Sequence, residues 1–304
     1  MPLEQSIAQL KTNLNTLNCV YFSNEPMRNH TSFKIGGPAD LFILPQSEKM
    51  LSTILDACKQ WDIPYLIVGN GSNLLVSDSG FRGAVLCTTG GLTNLELIDA
   101  HTIRCGAGVK TSQLCIFALE HALSGFEFLW GIPGTMGGAA FMNAGAYGSE
   151  MVDVLKCCYH LTPDGSAGEF PADQLDLGYR HSVYADNGYI ITGMLLRGIP
   201  GDKTVIREKM DDLMARRKSK QPLEYPSAGS IFKRPINHYA AALIEQCGLK
   251  GRSVGGAAVS EKHAGFIINT GSASAADVKA LIEQIKQEVF KQTGVQLECE
   301  VRIV

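Results

Sequence analysis

The sequence predicts an α+β protein with more than one domain. Helix-like and strand-like segments follow one another without the regular strand–helix alternation of a doubly wound sheet. At 304 residues the chain is longer than one hydrophobic core normally serves. Its 45% hydrophobic and 19% charged residues mark a chain that buries a core.

Ile7, Leu10, Leu14 and Leu17 recur at helical spacing, so an amphipathic helix opens the chain. Residues 41–44 read as a strand ending at Pro45. Ser47 then caps a helix whose apolar face is Leu51, Ile54, Leu55, Cys58 and Trp61, and Pro64 stops it. Residues 65–68 form an all-apolar strand, followed directly by the tight loop Gly69, Asn70, Gly71, Ser72, Asn73. Short strands are predicted over 84–87, 95–98 and 102–105. Thr111 is placed to cap a helix running to about Ala122. Residues 131–148 hold six glycines and break every periodic pattern. Strands resume over 154–161 and 189–196. The Gly- and Pro-rich residues 198–202 mark a boundary. A helix follows over 204–217, with Ile206, Met210, Leu213 and Met214 on one side. Ser274 opens the last helix, Val278, Leu281, Ile282, Ile285 and Val289 form its buried face, and Gly294 ends it. Residues 297–304 close the chain as a strand.

A net charge of −3 and a pI near 6.2 give no reason to expect a nucleic acid or an anionic membrane as partner. The nine cysteines form no CxxC and no zinc spacing, and read as buried small hydrophobes in a reducing compartment. The seven histidines lack HxxxH spacing, so no metal is expected. Residues 1–20 lack the basic start of a signal peptide, and no apolar run reaches the roughly 18 residues of a membrane span. These features predict a cytoplasmic protein; they leave the oligomeric state open.

Neither glycine loop is a dinucleotide fingerprint. The third glycine of GxGxxG would fall at Leu74 after Gly69 and Gly71, and at Thr111 after Gly106 and Gly108. Tight loops after strands can still form anion nests. The longer stretch carries Gly131, Pro133, Gly134, Thr135, Gly137, Gly138, Asn143 and Gly145 and no charged residue up to Gly148. Small uncharged residues over that length suit a backbone lying against a large flat ligand; on chemistry alone, a plain glycine-rich surface loop is an equal alternative.

Six motifs in order and spacing carry a resemblance. They are NHTSFKIGGPAD at 29–40, VGNGSNLL at 68–75, GIPGTMGG at 131–138, GYRHS at 178–182, SAGSIFK at 227–233 and EVR at 300–302. Together they resemble the MurB family of UDP-N-acetylenolpyruvoylglucosamine reductases, from about residue 29 to the end. The resemblance implies a two-lobed FAD-binding domain of the vanillyl-alcohol-oxidase (PCMH) type and a C-terminal α+β substrate-binding domain, with lobes at 1–88 and 89–201 and the substrate domain at 202–304. It implies non-covalent FAD, NADPH as hydride donor, and reduction of UDP-N-acetylglucosamine enolpyruvate to UDP-N-acetylmuramate for peptidoglycan. The short stretch after Tyr179 and Arg180 resembles the family's second type, which lacks an inserted tyrosine-bearing loop.

The chemistry of that reaction sets its own demands. Hydride adds to the methylene carbon of an enol ether, and negative charge builds on the neighbouring carbon and its carboxylate. A cation must meet that charge, and an acid must protonate the carbon. The resemblance makes Arg180 the cation, Ser230 the acid, and Glu300 a protonated partner of the carboxylate; a bare carboxylate there would repel it. It assigns FAD contacts to residues 69–73, to the small residues of 131–145 named above, and to Arg302. It assigns substrate contacts to Tyr179, Lys220 and Lys233. The role of Arg234 stays open. Read singly, each residue has a plainer account: Arg180 as a surface arginine, Ser230 as a turn serine, Glu300 as the solvated face of an edge strand, Lys220 as a complement to a helix dipole. A small-alcohol oxidase or a non-catalytic flavin module on the same scaffold would have no need of Arg180, Ser230 and Glu300 together.

Overall fold

In the computed structural model, which describes residues 1–304, the chain separates into two units that are interleaved in sequence. One unit comprises Met1–Asn24, Asp40–Asn70 and Arg82–Ala215; the other comprises Glu25–Ala39, Gly71–Phe81 and Arg216–Val304.

The first unit is built on two sheets. In one, Tyr65–Val68 runs parallel to the strand Phe81–Cys87, with Tyr65 opposite Ala84 and Val68 opposite Cys87. The helices Leu3–Thr16 and Glu48–Gln60 supply Leu10, Leu14, Leu51, Ile54 and Cys58 to a core that includes Leu41, Ile43, Ala84 and Leu86. Ser47 caps the second helix as expected, its Oγ accepting the Met50 N–H at 3.1 Å. The other sheet is antiparallel, in the order Ala167–Pro171, Leu155–Leu161, Ile190–Arg197, Thr102–Gly106, Leu95–Leu97. A separate core gathers Leu114, Cys115 and Ala118 from the helix Thr111–Glu120, Met136, Ala139 and Ala140 from the helix Met136–Phe141, and Met194 and Leu196 from the sheet.

Two details differ from expectation here. Thr111 is the first helical residue and Lys110 the N-cap; Gln113 Oε1 accepts the Lys110 N–H at 2.9 Å, while the Thr111 hydroxyl donates to the Ile132 carbonyl. The stretch 131–148 contains the helix Met136–Phe141 and a pairing of Gly145–Ala146 with Ser149–Glu150. Elements this short complete too few periods to show in a sequence pattern.

The second unit has a four-stranded antiparallel sheet in the order Ser227–Ser230, Phe266–Asn269, Ala257–Val259, Ser253–Val254. The helix Ala275–Thr293 buries Val278, Leu281, Ile282, Ile285 and Val289, and Gly294 ends it at φ 71°. Its first amides are doubly capped. Ser274 Oγ accepts from Asp277, and Asp78 accepts from Ala275 at 2.8 Å and Ala276 at 3.0 Å. A carboxylate at a helix N-terminus also meets the positive end of its dipole.

The closing strand is shorter than expected, with ladder pairing only at Arg302–Ile303. The reason is a change of partner. Cys299 bridges antiparallel to Phe232, whereas Arg302 and Ile303 run parallel to Leu74 and Leu75. Leu297 and Val301 are buried as alternation requires, but Ile303 is 46% exposed. Six of the nine cysteines are buried and three, Cys157, Cys247 and Cys299, are half-buried. Burial pushes the Cys58 thiol up to about 12 and the Cys19 thiol up to about 11, so neither is a thiolate at neutral pH. No helix is long and apolar enough to cross a membrane.

Candidate functional site

The residues singled out in the sequence fall into two groups, one in each unit.

In the first unit, the loop after the strand Tyr65–Val68 meets the 131–148 segment. Asn70 Nδ2 donates to the Pro133 carbonyl at 2.9 Å. A Cβ on Gly69 would stand 2.1 Å from Thr135 Oγ1, and one on Gly137 would stand 2.8 Å from Ala107 Cβ. Those glycines permit close packing within the protein. Gly138 differs, since it is exposed and a Cβ there would make only an ordinary contact with Thr135 Oγ1 at 3.6 Å. Much of the segment's backbone is satisfied internally. The N–H groups of Met136, Gly137 and Ala139 donate to Val109, Ala107 and Thr135 carbonyls, each at 2.8 Å. Backbone recognition of a ligand by this segment thus falls to its remaining amides and to the exposed Gly138 surface.

Arg180 sits in a tight turn. The Gly178 and His181 N–H groups donate to each other's carbonyls at 3.2 Å, and Arg180 holds φ 54°. A left-handed conformation costs a non-glycine residue about 1–2 kcal/mol, and such strain collects at functional positions. The guanidinium carbon lies 5.2 Å from the Tyr179 ring centroid, a cation–π contact, and Tyr179 is 49% exposed. His181 Nε2 is 3.2 Å from Asp176 and 3.7 Å from Asp186. The Asn143 side chain, expected at the cofactor, is instead buried against this turn, with Nδ2 donating to Gly178 O at 3.0 Å.

In the second unit, Ser230, Glu300 and Arg302 come together through backbone pairing. Ser227 faces Ile268 and Ser230 faces Phe266, so the strand Ser227–Ser230 carries one extra residue. This bulge contains Gly229 at φ 74°, where a Cβ would meet nothing within 4 Å. Bulges re-aim the side chain that follows them; here that is Ser230, half-buried. The Glu300 N–H donates to the carbonyl of the next residue, Ile231, at 2.8 Å, and the Lys233 N–H donates to Glu298 O at 2.8 Å. Asn73 staples the far side: its Nδ2 donates to Glu300 O at 3.1 Å, and its carbonyl accepts the Arg302 N–H at 3.0 Å. Glu300 thus stands where the chain hands over from one strand partner to the next. A Cβ on Gly71 would lie 2.1 Å from the His30 carbonyl, so this glycine is fixed by the NHTSF motif beneath it.

Lys233 and Lys220 are placed differently from each other. The Lys233 ammonium pairs with Glu298 at 2.5 Å. Lys220 is exposed at the end of the helix Lys203–Lys220. Arg234 lies over the Tyr239 ring at 4.3 Å from its centroid. Sequence reasoning did not single out Arg217, which is 7% exposed with Nη1 donating to Gln221 at 3.2 Å. A basic run at a helix end gives no sign of which member turns inward.

Comparison with known proteins adds independent findings. Residues 221–304 match the family described as "UDP-N-acetylenolpyruvoylglucosamine reductase, C-terminal domain", and residues 39–170 match one described as "FAD binding domain". A UDP-N-acetylenolpyruvoylglucosamine reductase from Agathobacter rectalis is 47% identical, over 92% of this chain and 93% of that protein. The crystal structure of the corresponding reductase (MurB) from Thermus caldophilus is 33% identical and superposes with a TM-score of 0.80 over 94% of this chain and 98% of that one. Substrate-bound p-cresol methylhydroxylase is 13% identical, with a TM-score of 0.50 over 97% of this chain and 65% of that one. That last likeness shows shared fold alone.

Proposed function

The chain belongs to the UDP-N-acetylenolpyruvoylglucosamine reductase family and is an oxidoreductase of that family, and we propose that it reduces UDP-N-acetylglucosamine enolpyruvate to UDP-N-acetylmuramate in the cytoplasm, with non-covalent FAD as cofactor and NADPH as hydride donor. The observation that carries the reading is the assembly of Ser230, Glu300 and Arg302 by a glycine bulge and a strand handover, inside the region matching the family's C-terminal domain.

The residues fit a flavin dinucleotide. The linked loops carrying Gly69, Asn70, Gly131, Pro133, Gly134, Thr135, Gly137, Gly138 and Gly145 are free of charged side chains, and the exposed Gly138 offers a face to a flat ring or a pyrophosphate. Gly71, Ser72, Asn73 and Arg302 are further cofactor contacts that the resemblance assigns. Bound FAD supplies the hydride that passes from NADPH to the enol ether.

The protein's own groups do the rest. The Arg180 guanidinium grips the substrate carboxylate with two donors and meets the charge that builds beside it. The Ser230 hydroxyl gives its proton to the adjacent carbon. Serine is a poor acid at its free pKa, so the alkoxide left behind needs donors. The candidates are backbone N–H groups and the Lys233 ammonium, which gives one of its three protons to Glu298. Glu300 shares a proton with the carboxylate and so avoids like-charge repulsion. Tyr179, Lys220 and Lys233 are assigned to holding the sugar nucleotide. On this reading residues 1–88 and 89–201 are the two FAD lobes and 202–304 the substrate domain.

Anaerobic stopped-flow absorbance tests the proposal. NADPH is expected to bleach the flavin, and the enolpyruvyl sugar nucleotide to restore its colour without oxygen. Purified protein that neither carries nor takes up FAD, or a reduced flavin that the substrate leaves bleached, overturns it.

A further inference from the structure

Asn143 is 1% exposed, and its backbone takes φ 41°. Its side-chain amide is fully committed to the protein. Oδ1 accepts the Val152 N–H at 3.0 Å, and Nδ2 donates one proton to Glu150 Oε2 at 2.9 Å and the other to Gly178 O at 3.0 Å. An amide nitrogen has two protons, so none is left for a ligand. These partners also fix the orientation of the amide, since only its nitrogen can face a carboxylate and a carbonyl.

The Gly178 carbonyl is the hub of the Arg180 turn, accepting the His181 N–H at 3.2 Å as well as Asn143 Nδ2. A second link lies close by, where the Ser182 hydroxyl, fully buried, donates to the Phe141 carbonyl at 2.7 Å. The stretch 141–143 therefore grips both sides of a turn whose central arginine holds a left-handed backbone that it would not adopt unaided.

We infer that Asn143 is a positioning residue for Arg180, fixing the turn that presents the guanidinium. The inference rests on the role given to Arg180 above. It predicts that the turn can be released while the 131–148 segment stays intact. Asn143→Asp keeps the acceptor for Val152 but removes both protons, leaving a buried carboxylate facing the Glu150 carboxylate and the Gly178 carbonyl. That single variant can fail simply by not folding. In the double variant N143D/E150Q the new amide at position 150 donates to the new carboxylate at position 143, restoring that contact with its direction reversed. The contact with Gly178 O stays repulsive.

N143D/E150Q is expected to fold and bind FAD, with a melting point lowered only by the lost contact with Gly178 O, and its flavin to be reduced by NADPH within about twofold of the parental rate. Reoxidation by the enolpyruvyl sugar nucleotide should slow by roughly 10–100-fold, the scale of misplacing one catalytic group by about an ångström. Adding Arg180→Lys should slow it little beyond Arg180→Lys alone, because both changes act through one guanidinium. Without FAD or substrate, trypsin should cut after Arg180 faster than in the parent. Equal slowing of both half-reactions, losses that multiply with Arg180→Lys, or parental cleavage after Arg180 would each show that Asn143 only holds its own loop. Should the parent itself not be reoxidised by the substrate, the proposed function fails instead, and the cleavage rate still reports whether Asn143 holds the turn.

Discussion

The 131–148 segment and the Ser230–Glu300 assembly both depend on glycine, for different physical reasons. In the first, Gly137 is needed for space, as is Gly69 on the adjoining loop: an added Cβ would stand 2.8 Å from Ala107 Cβ in one case and 2.1 Å from Thr135 Oγ1 in the other. In the second, Gly229 has nothing within 4 Å of an added Cβ and is needed for its φ of 74°. The first region is neutral and packs its backbone closely against small side chains, as suits a surface that lies against a cofactor. The second uses its glycine for a bulge that re-aims one hydroxyl, and the backbone pairings that follow involve the charged residues Glu298, Glu300, Arg302 and Lys233. On the proposed reading, adding a Cβ at the packed glycines of the first region should disturb folding, whereas removing the Ser230 hydroxyl from the second should disturb chemistry alone.

Ser230→Ala tests that division most severely. Removing the hydroxyl leaves the strand pairing of Ser230 with Phe266 intact, since that pairing uses backbone. FAD content and reduction by NADPH should stay near parental. Reoxidation by the enolpyruvyl substrate should slow by roughly 10²-fold or more, the usual scale for a positioned general acid. If rapid-mixing traces show both halves slowed alike, Ser230 shapes the pocket and the two regions are not functionally distinct.

The two kinds of glycine make the next test. Gly69→Ala should destabilise the fold by about 1–3 kcal/mol through overpacking, because Thr135 is itself 2% exposed and cannot swing away. Removing the obstructing hydroxyl with Thr135→Ala should recover part of the loss. Gly229→Ala should cost about 1 kcal/mol from backbone strain alone, with no second-site rescue by trimming a neighbour. Urea melts of these three variants decide. A Gly69→Ala protein as stable as the parent would show that the loop shifts freely and that its packing does not define the region.

Much of this was legible in the sequence where a residue type has one dominant use. Ser47 and Ser274 were readable as caps because a serine before an apolar helical repeat has few other roles, and both accept the expected backbone amide. Alternation sets Leu297, Cys299, Val301 and Ile303 on one face of the C-terminal segment; Leu297 and Val301 are in the core, whereas Cys299 is half-buried and Ile303 exposed. Other features were hidden because they depend on contacts far apart in sequence. Asp78 caps a helix that starts almost 200 residues later, and nothing in DSG at 78–80 announces it. The turn of partner at Glu300 breaks what reads as one strand, since alternation records which face is buried and not which strand is the neighbour. The resemblance assigns Asn143 to the cofactor together with the small residues around it. Only the positions of Glu150 and Gly178 show its amide to be spent.

The smallest expected effect concerns acid stability, and it sets one histidine of the first unit against one of the second. His160 is 3% exposed, walled by Phe170, Tyr184 and Tyr189, with Nδ1 3.0 Å from the Tyr184 hydroxyl. Burial pushes its pKa below the ordinary 6.5. His263 is also lowered, first by burial, with Lys250 adding to the effect and a backbone hydrogen bond and Glu245 opposing it. A histidine depressed in the folded state binds its proton more readily when unfolded. Its contribution to stability is therefore complete above about 6.5 and is lost as pH falls through that value toward the folded pKa. The protein should lose stability between about pH 7 and pH 5. His160→Gln keeps a hydrogen-bonding side chain but cannot take up the proton, so it should flatten part of that acid limb; His263→Gln should flatten a further part, because burial outweighs the backbone hydrogen bond that opposes it. The measurement is the urea midpoint of each variant across that pH range. If His160→Gln follows the parental pH dependence, the His160 ring is hydrated or mobile, and the aromatic cluster of the first unit is looser than its packing indicates. A larger flattening from His263→Gln would place the acid-sensitive point in the second unit, beside the strand that carries Ser230.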